Sequence, residues 1–198
     1  MSKIEVKEPV IIKNVLSNED HRELKLIMQN WPLGVEYYQN LGRYHIQDKI
    51  IDEYAEKLIP LARKIFNSET LKPSYSLFSN YQVVGANFPN LHRHKDFNAN
   101  TYTIDLCLYQ TEPWALGVSH NGEDKEYILQ ENEALFYYGN DQDHWRPEFP
   151  NADSQSVALI FFHYVEPDHW YYVKGPDYQD VIKGNLTEDE WNSGKRLN

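Results

Sequence analysis

The chain has 198 residues, with 30 acidic and 19 basic side chains and a formal net charge of -11 at pH 7. Gripping duplex nucleic acid by its phosphates needs a basic face, so this balance, with no Lys/Arg-rich run, argues against such a partner. At 41% hydrophobic and 14% aromatic residues the sequence is too apolar for a disordered chain, and its length suits one domain with its own core.

The N-terminus carries charges (Lys3, Glu5, Lys7, Glu8) where a secretory signal would need an apolar stretch. No apolar run approaches the roughly 20 residues of a membrane helix. The one cysteine, Cys107, excludes an intramolecular disulfide and suits a reducing compartment. The expectation is a cytoplasmic protein with no membrane partner.

The first third, residues 1–72, reads as a mostly helical support layer. Ser17 is a fitting N-cap, with Glu19 and Asp20 in the positive first turn. Leu24, Ile27, Met28 and Trp31 follow at i, i+3, i+4 and i+7 on one helical face, and Trp31-Pro32-Leu33-Gly34 ends the helix. A second helix is predicted from Lys49 to Phe66, with Ile50, Tyr54, Leu58, Leu61, Ala62 and Ile65 as its apolar stripe and a kink at Pro60.

After Pro73 the period changes to that of strands, predicted at 74–85, 101–110, 115–119, 126–130, 134–138 and 156–165. Asn121-Gly122 is a hairpin turn between two of them. The pattern predicts one domain, mainly β with a helical N-terminal layer, in which 73–166 form a β-sandwich or a jelly roll (double-stranded β-helix). Residues 167–198 are expected to be a peripheral C-terminal segment.

Leu91-His92-Arg93-His94-Lys95-Asp96 carries the chemistry. On extended backbone, i and i+2 share a side, so His94 and Asp96 can offer an imidazole and a carboxylate to one metal. His144, after the strand ending at Tyr138, is the candidate second imidazole. Two histidines and one carboxylate cover one face of an octahedron, as in non-haem Fe(II) oxygenases. By itself a His-x-Asp pair is equally what a surface ion pair looks like. His92 with His94 also makes the His-x-His pair of a metal-binding cupin, although no glutamate and no Pro-x-Gly turn accompany it. His163, inside an apolar strand, reads as a packed core histidine, whereas Trp114, Trp145 and Trp170 are candidate cleft walls.

In its order of features, from about Tyr75 to Tyr164, the chain resembles the 2-oxoglutarate- and Fe(II)-dependent dioxygenases, in particular the prolyl-hydroxylase-like branch and its small phage-type relatives. Those features are the tyrosine-bearing strand around Tyr81, His94-Lys95-Asp96, the strand 105–109, the run Glu133-Ala134-Leu135-Phe136-Tyr137-Tyr138-Gly139, and His144-Trp145-Arg146. The resemblance implies Fe(II) on His94, Asp96 and His144, and 2-oxoglutarate and O2 as cosubstrates. It also implies a hydroxylase acting on a peptidyl or free prolyl-type substrate, whether small molecule or peptide. Tyr81 and Tyr109 correspond to residues that line or hydrogen-bond the cosubstrate. Relatives place an Arg or Lys about ten residues after the distal histidine, to pair with the far carboxylate of 2-oxoglutarate. Here that stretch reads Asp153-Ser154-Gln155-Ser156, so Arg146 is the expected substitute and Ser156 a weaker donor. The departure leaves two alternatives: a non-catalytic, cupin-like metal-binding jelly roll that holds a small ligand, and a triad oxygenase that uses no oxo acid.

Overall fold

The computed structural model describes residues 5–31, 37–85, 87–97, 99–149 and 156–195. Eight strands form the barrel: β4 (Lys72–Gln82), β5 (Leu91–His94), β6 (Tyr102–Gln110), β7 (Leu116–His120), β8 (Glu123–Tyr127), β9 (Glu133–Tyr137), β10 (His144–Arg146) and β11 (Ser156–Val165). They divide into a sheet with the order β5-β10-β7-β8 and a larger one containing β9-β6-β11-β4. All the pairings are antiparallel. Two facing antiparallel sheets with these crossovers make a jelly roll. Asn121 and Gly122, with φ of 52° and 82°, close the predicted β7–β8 hairpin, and His120 pairs with Glu123 across it.

The N-terminal third is less helical than its sequence suggests. Beside the two helices it holds β1 (Val10–Lys13), β2 (Tyr37–Tyr38) and β3 (Arg43–Ile46), which extend the larger sheet to β1-β9-β6-β11-β4-β3-β2. These strands are short, and only tertiary pairing holds them extended.

Helix α1 (Asn18–Gln29) starts where expected, with the Ser17 side chain accepting from the Asp20 N–H at 3.0 Å. It stops two residues before Trp31, and 32–34 lie outside the described residues. Helix α2 (Lys49–Phe66) has the predicted bounds and runs through Pro60. Asp48 caps its first turn, and Asn67 ends it in the left-handed conformation. Its buried face is Ile51, Tyr54, Ala55, Leu58, Ala62 and Phe66, turned away from the predicted Ile50, Leu61 and Ile65, which are only partly buried.

The apolar residues separate into two cores. One joins α1 and α2 to the outer face of the larger sheet through Leu24, Leu58, Phe66, Ile104, Leu106 and Phe136, among others. The second fills the barrel with Leu77, Tyr81, Cys107, Leu116, Leu135 and Phe161, among others. Fully burying such a side chain contributes about 1.5–3 kcal/mol, and strands buried on both faces, such as β6, are held from both sides. Among the described residues no helix is long and apolar enough to cross a membrane.

The C-terminal segment forms α3 (Trp170–Lys174), α4 (Gln179–Ile182) and α5 (Glu188–Asn192). Thr187 and Glu190 build a capping box at the start of α5.

Candidate metal centre

His94 ends β5 and His144 begins β10, and the two are directly paired across these strands. Asp96 lies two residues beyond His94 on the turn that leaves the strand. Its N–H donates to the Gly139 carbonyl at 2.9 Å, and its own carbonyl accepts from Asn140 Nδ2 at 2.7 Å. Gly139 also makes room for the Asp96 side chain. A Cβ there would sit 2.5 Å from Asp96 Oδ2 and 2.6 Å from the Asn100 carbonyl.

The two histidines bring one imidazole nitrogen each, and Asp96 one carboxylate oxygen, to within 4.8 Å of one another. His94 Nε2 is 3.6 Å from Asp96 Oδ1, and His144 Nε2 is 3.7 Å from the same oxygen. The opposite nitrogens face backbone carbonyls: His94 Nδ1 the His92 carbonyl at 2.7 Å, His144 Nδ1 the Gln142 carbonyl at 3.0 Å. A carbonyl only accepts, so both Nδ1 atoms carry the proton and both Nε2 lone pairs point toward Asp96. That is how ligating imidazoles are ordinarily held. Bonds of about 2.1 Å at right angles would space donor atoms about 3 Å apart, so the two His–Asp separations of 3.6 and 3.7 Å would shorten on binding an octahedral ion. Two neutral imidazoles and a carboxylate fit Fe(II), which is where the residues present and the expected metal agree.

Asp96 and the histidines also set each other's protonation. Burial pushes the Asp96 carboxyl up, but His94, His144 and His163 around it outweigh burial and hold it below its ordinary value. Asp96 in turn raises His94, whereas burial lowers His144. The His144 side chain is 4% exposed and that of His94 36%, so the centre opens on the His94 side.

The triad borders a cavity of about 450 Å³. Tyr81 is in its wall as expected, and so is Trp170, while Trp114 and Trp145 are not. Trp114 packs on Tyr81, Phe149 and the Arg146 guanidinium, and Trp145 lies over Gly117 and stacks with Arg93. His163 is buried with its Nδ1 3.2 Å from Thr103 Oγ1; it is a core histidine, as read, but one that also faces the cavity. The His92 side chain is exposed and outside the cluster, which removes the His-x-His arrangement of a cupin.

Three expected cosubstrate residues lie elsewhere. Tyr109 would share the inward face of β6 with Cys107 on a regular strand. A bulge between them, where Ala158 pairs with Tyr109 but Leu159 with Cys107, turns it outward toward the helices. Arg146 is inside the barrel but engaged, its Nη2 donating to Asp105 Oδ2 at 2.6 Å and its Nη1 to the Trp114 carbonyl at 2.8 Å. A fully buried carboxylate needs such a partner, and Asp105 claims the arginine. Ser156 donates to Asn80 Oδ1 at 2.7 Å, while β11 turns Val157, Leu159 and Phe161 into the barrel instead.

Conversely, the sequence reading missed Arg43, His45 and Gln47, which supply one wall, and Tyr75 and Tyr137, which supply others. The signal was present: Arg43, His45 and Gln47 alternate with Tyr44 and Ile46, the period of a half-buried strand. Gly42, with φ of 62°, precedes them where the backbone of Phe88 and Pro89 approaches too closely for any Cβ. The C-terminal segment, expected to be peripheral, adds Trp170, Tyr171, Pro176 and Gln179.

No family model matches the chain, and no curated protein matches it by sequence. Solved structures match its fold. An oxidoreductase of the 2OG-Fe(II) oxygenase family from Burkholderia pseudomallei aligns with a TM-score of 0.63 at 9% identity, over 79% of this chain and 83% of that one. HygX from Streptomyces hygroscopicus, with nickel, 2-oxoglutarate and hygromycin B bound, aligns at 0.62 and 9% identity, over 81% and 83%. A prolyl hydroxylase from Trichoplax adhaerens, in complex with a hypoxia inducible factor peptide fragment, aligns at 0.58 and 12%, over 79% and 83%. The chain therefore has the jelly-roll fold of 2-oxoglutarate/Fe(II) oxygenases.

Proposed function

We propose that this protein is an Fe(II)- and 2-oxoglutarate-dependent dioxygenase, a hydroxylase of a peptidyl or free prolyl-type substrate, working as one domain in the cytoplasm. The observation that carries this reading is the triad itself: two Nε2 lone pairs and one carboxylate oxygen converge at one end of a cavity in an oxygenase fold. His94, Asp96 and His144 would hold the iron on one face and leave the other for ligands. Iron bound there supplies oxygen activation coupled to conversion of 2-oxoglutarate to succinate and CO2.

The chain's own residues set the conditions. The His92 and Gln142 carbonyls orient the two imidazoles, and Gly139 and Asn140 clamp the Asp96 backbone. Tyr75, Phe161 and Trp170 wall the cavity with rings that keep water away from the reacting centre. The rings of Tyr75, Phe161, Trp170 and Tyr171 in the wall suit a compact group such as a prolyl ring, and a prolyl hydroxylase is among the proteins of like fold.

The test is anaerobic titration of the apoprotein with Fe(II) and then 2-oxoglutarate, reading the visible charge-transfer band of the chelate, followed by admission of oxygen and assay of succinate. Band and succinate should both be lost in His94→Ala and His144→Ala. Iron binding without a band at millimolar 2-oxoglutarate would overturn the reading.

A further inference from the structure

We infer that Arg43, from a strand outside the eight-stranded barrel, is the cation that reads the far carboxylate of the dicarboxylic oxo acid and makes the cavity selective for it over a monocarboxylic one. This rests on the oxygenase reading above. A second carboxylate in a partly buried cavity requires a cationic or multi-donor partner. Neither residue expected from the sequence supplies it: Arg146 is neutralised by Asp105, and Ser156 is turned to Asn80. Among the described residues Arg43 is the only arginine or lysine in the cavity wall, and Asp96 is the only acid.

The sheet register places it. Arg43 is paired directly with Tyr81, and Tyr81 with Val157, so one rung crosses β3, β4 and the start of β11. Directly opposed residues of antiparallel strands project to the same face, and Tyr81 projects into the barrel. A cation on β3 thus enters on the same rung as the start of the closing strand, two strands away.

Its bonding leaves it available. Arg43 Nη1 donates to the Tyr81 hydroxyl at 2.7 Å, which orients the guanidinium and leaves the tyrosine O–H free to donate to a ligand. Arg43 Nε is buried with no hydrogen-bond partner, and among the described residues no carboxylate lies within 4.0 Å of the guanidinium. An arginine so placed, in a cavity with no acid beside it, is poised for a carboxylate from outside the chain. His45, next along the same wall, does not compete as a cation, because burial and Arg43 push it down to about 4.

The experiment compares 2-oxoglutarate with 2-oxopentanoate, which has the same carbon chain without the far carboxylate, in the anaerobic Fe(II) titration. Both chelate iron through the same keto-acid end, so the ratio of their binding constants isolates the far carboxylate. The wild type should bind 2-oxoglutarate roughly 10- to 100-fold more tightly, as expected for hydrogen bonds to a charged group. Arg43→Gln should bring the ratio close to one with iron affinity unchanged, and Arg43→Lys should keep most of the preference. If Arg43→Gln retains the wild-type ratio, or the wild type shows no preference, the assignment to Arg43 is wrong while the oxygenase reading stands. If iron binds but neither acid gives a band, both fall together.

Discussion

His94 and His144 are a directly opposed cross-strand pair, their ring centroids 4.3 Å apart, and this pairing of β5 with β10 creates the candidate metal centre. Each imidazole is held by the carbonyl two residues before it, His92 on β5 itself and Gln142 just ahead of β10. The same architecture makes the contribution of neighbouring residues predictable.

His92 contributes only its backbone carbonyl, which accepts from His94 Nδ1. His92→Ala should therefore leave Fe(II) affinity within about twofold of wild type, whereas His144→Ala should abolish tight binding. A competition titration against a coloured chelator measures both. A large loss in His92→Ala would revive the cupin-like arrangement.

Gly139 is required by closeness to Asp96. In Gly139→Ala the new methyl meets Asp96 Oδ2, the Asn100 carbonyl and Thr103 Oγ1 at 2.5, 2.6 and 2.8 Å, so the carboxylate must move. Displacing a ligand's support costs about 10- to 100-fold in metal affinity. Overpacking costs about 1–3 kcal/mol in stability. Chelator competition and urea denaturation of the same variant should show the two losses side by side.

Asp105 and Arg146 form an ion pair inside the barrel with side chains 0% and 2% exposed. Removing one partner strands a buried charge, so Asp105→Asn or Arg146→Met should each cost about 3–5 kcal/mol. Asp105→Leu combined with Arg146→Met should recover much of that loss. A double-mutant cycle in urea checks this, and near-additive losses would show that the pair is not coupled.

His163 sets an acid limit. Burial holds it at about 4 against an ordinary 6.5, so the folded protein favours the neutral ring. Its contribution is therefore present above 6.5 and lost as the pH falls from 6.5 toward 4, on the order of 3 kcal/mol in total. Urea midpoints of the apoprotein between pH 7.5 and 4.5 should fall along this window. In His163→Gln, which can still hydrogen-bond Thr103, the fall should be shallower.

What the sequence determined by itself was local. The runs of strand-forming residues marked five of the barrel strands and reached β8 only at Glu126 and Tyr127, Asn121-Gly122 marked their tightest hairpin, and the helix predicted over Lys49 to Phe66 has those bounds. Extended backbone put His94 and Asp96 on one side, because neighbouring residues set that geometry. The tertiary structure alone decided which distant groups meet. It brought His144 opposite His94, assigned Arg146 to Asp105, and delivered Arg43 beside Tyr81 through a four-residue strand. A single extra residue in β6 sent Tyr109 to the other face. Strand pairing, bulges and the choice of partner for a buried charge depend on residues far apart in the chain, and no local pattern encodes them.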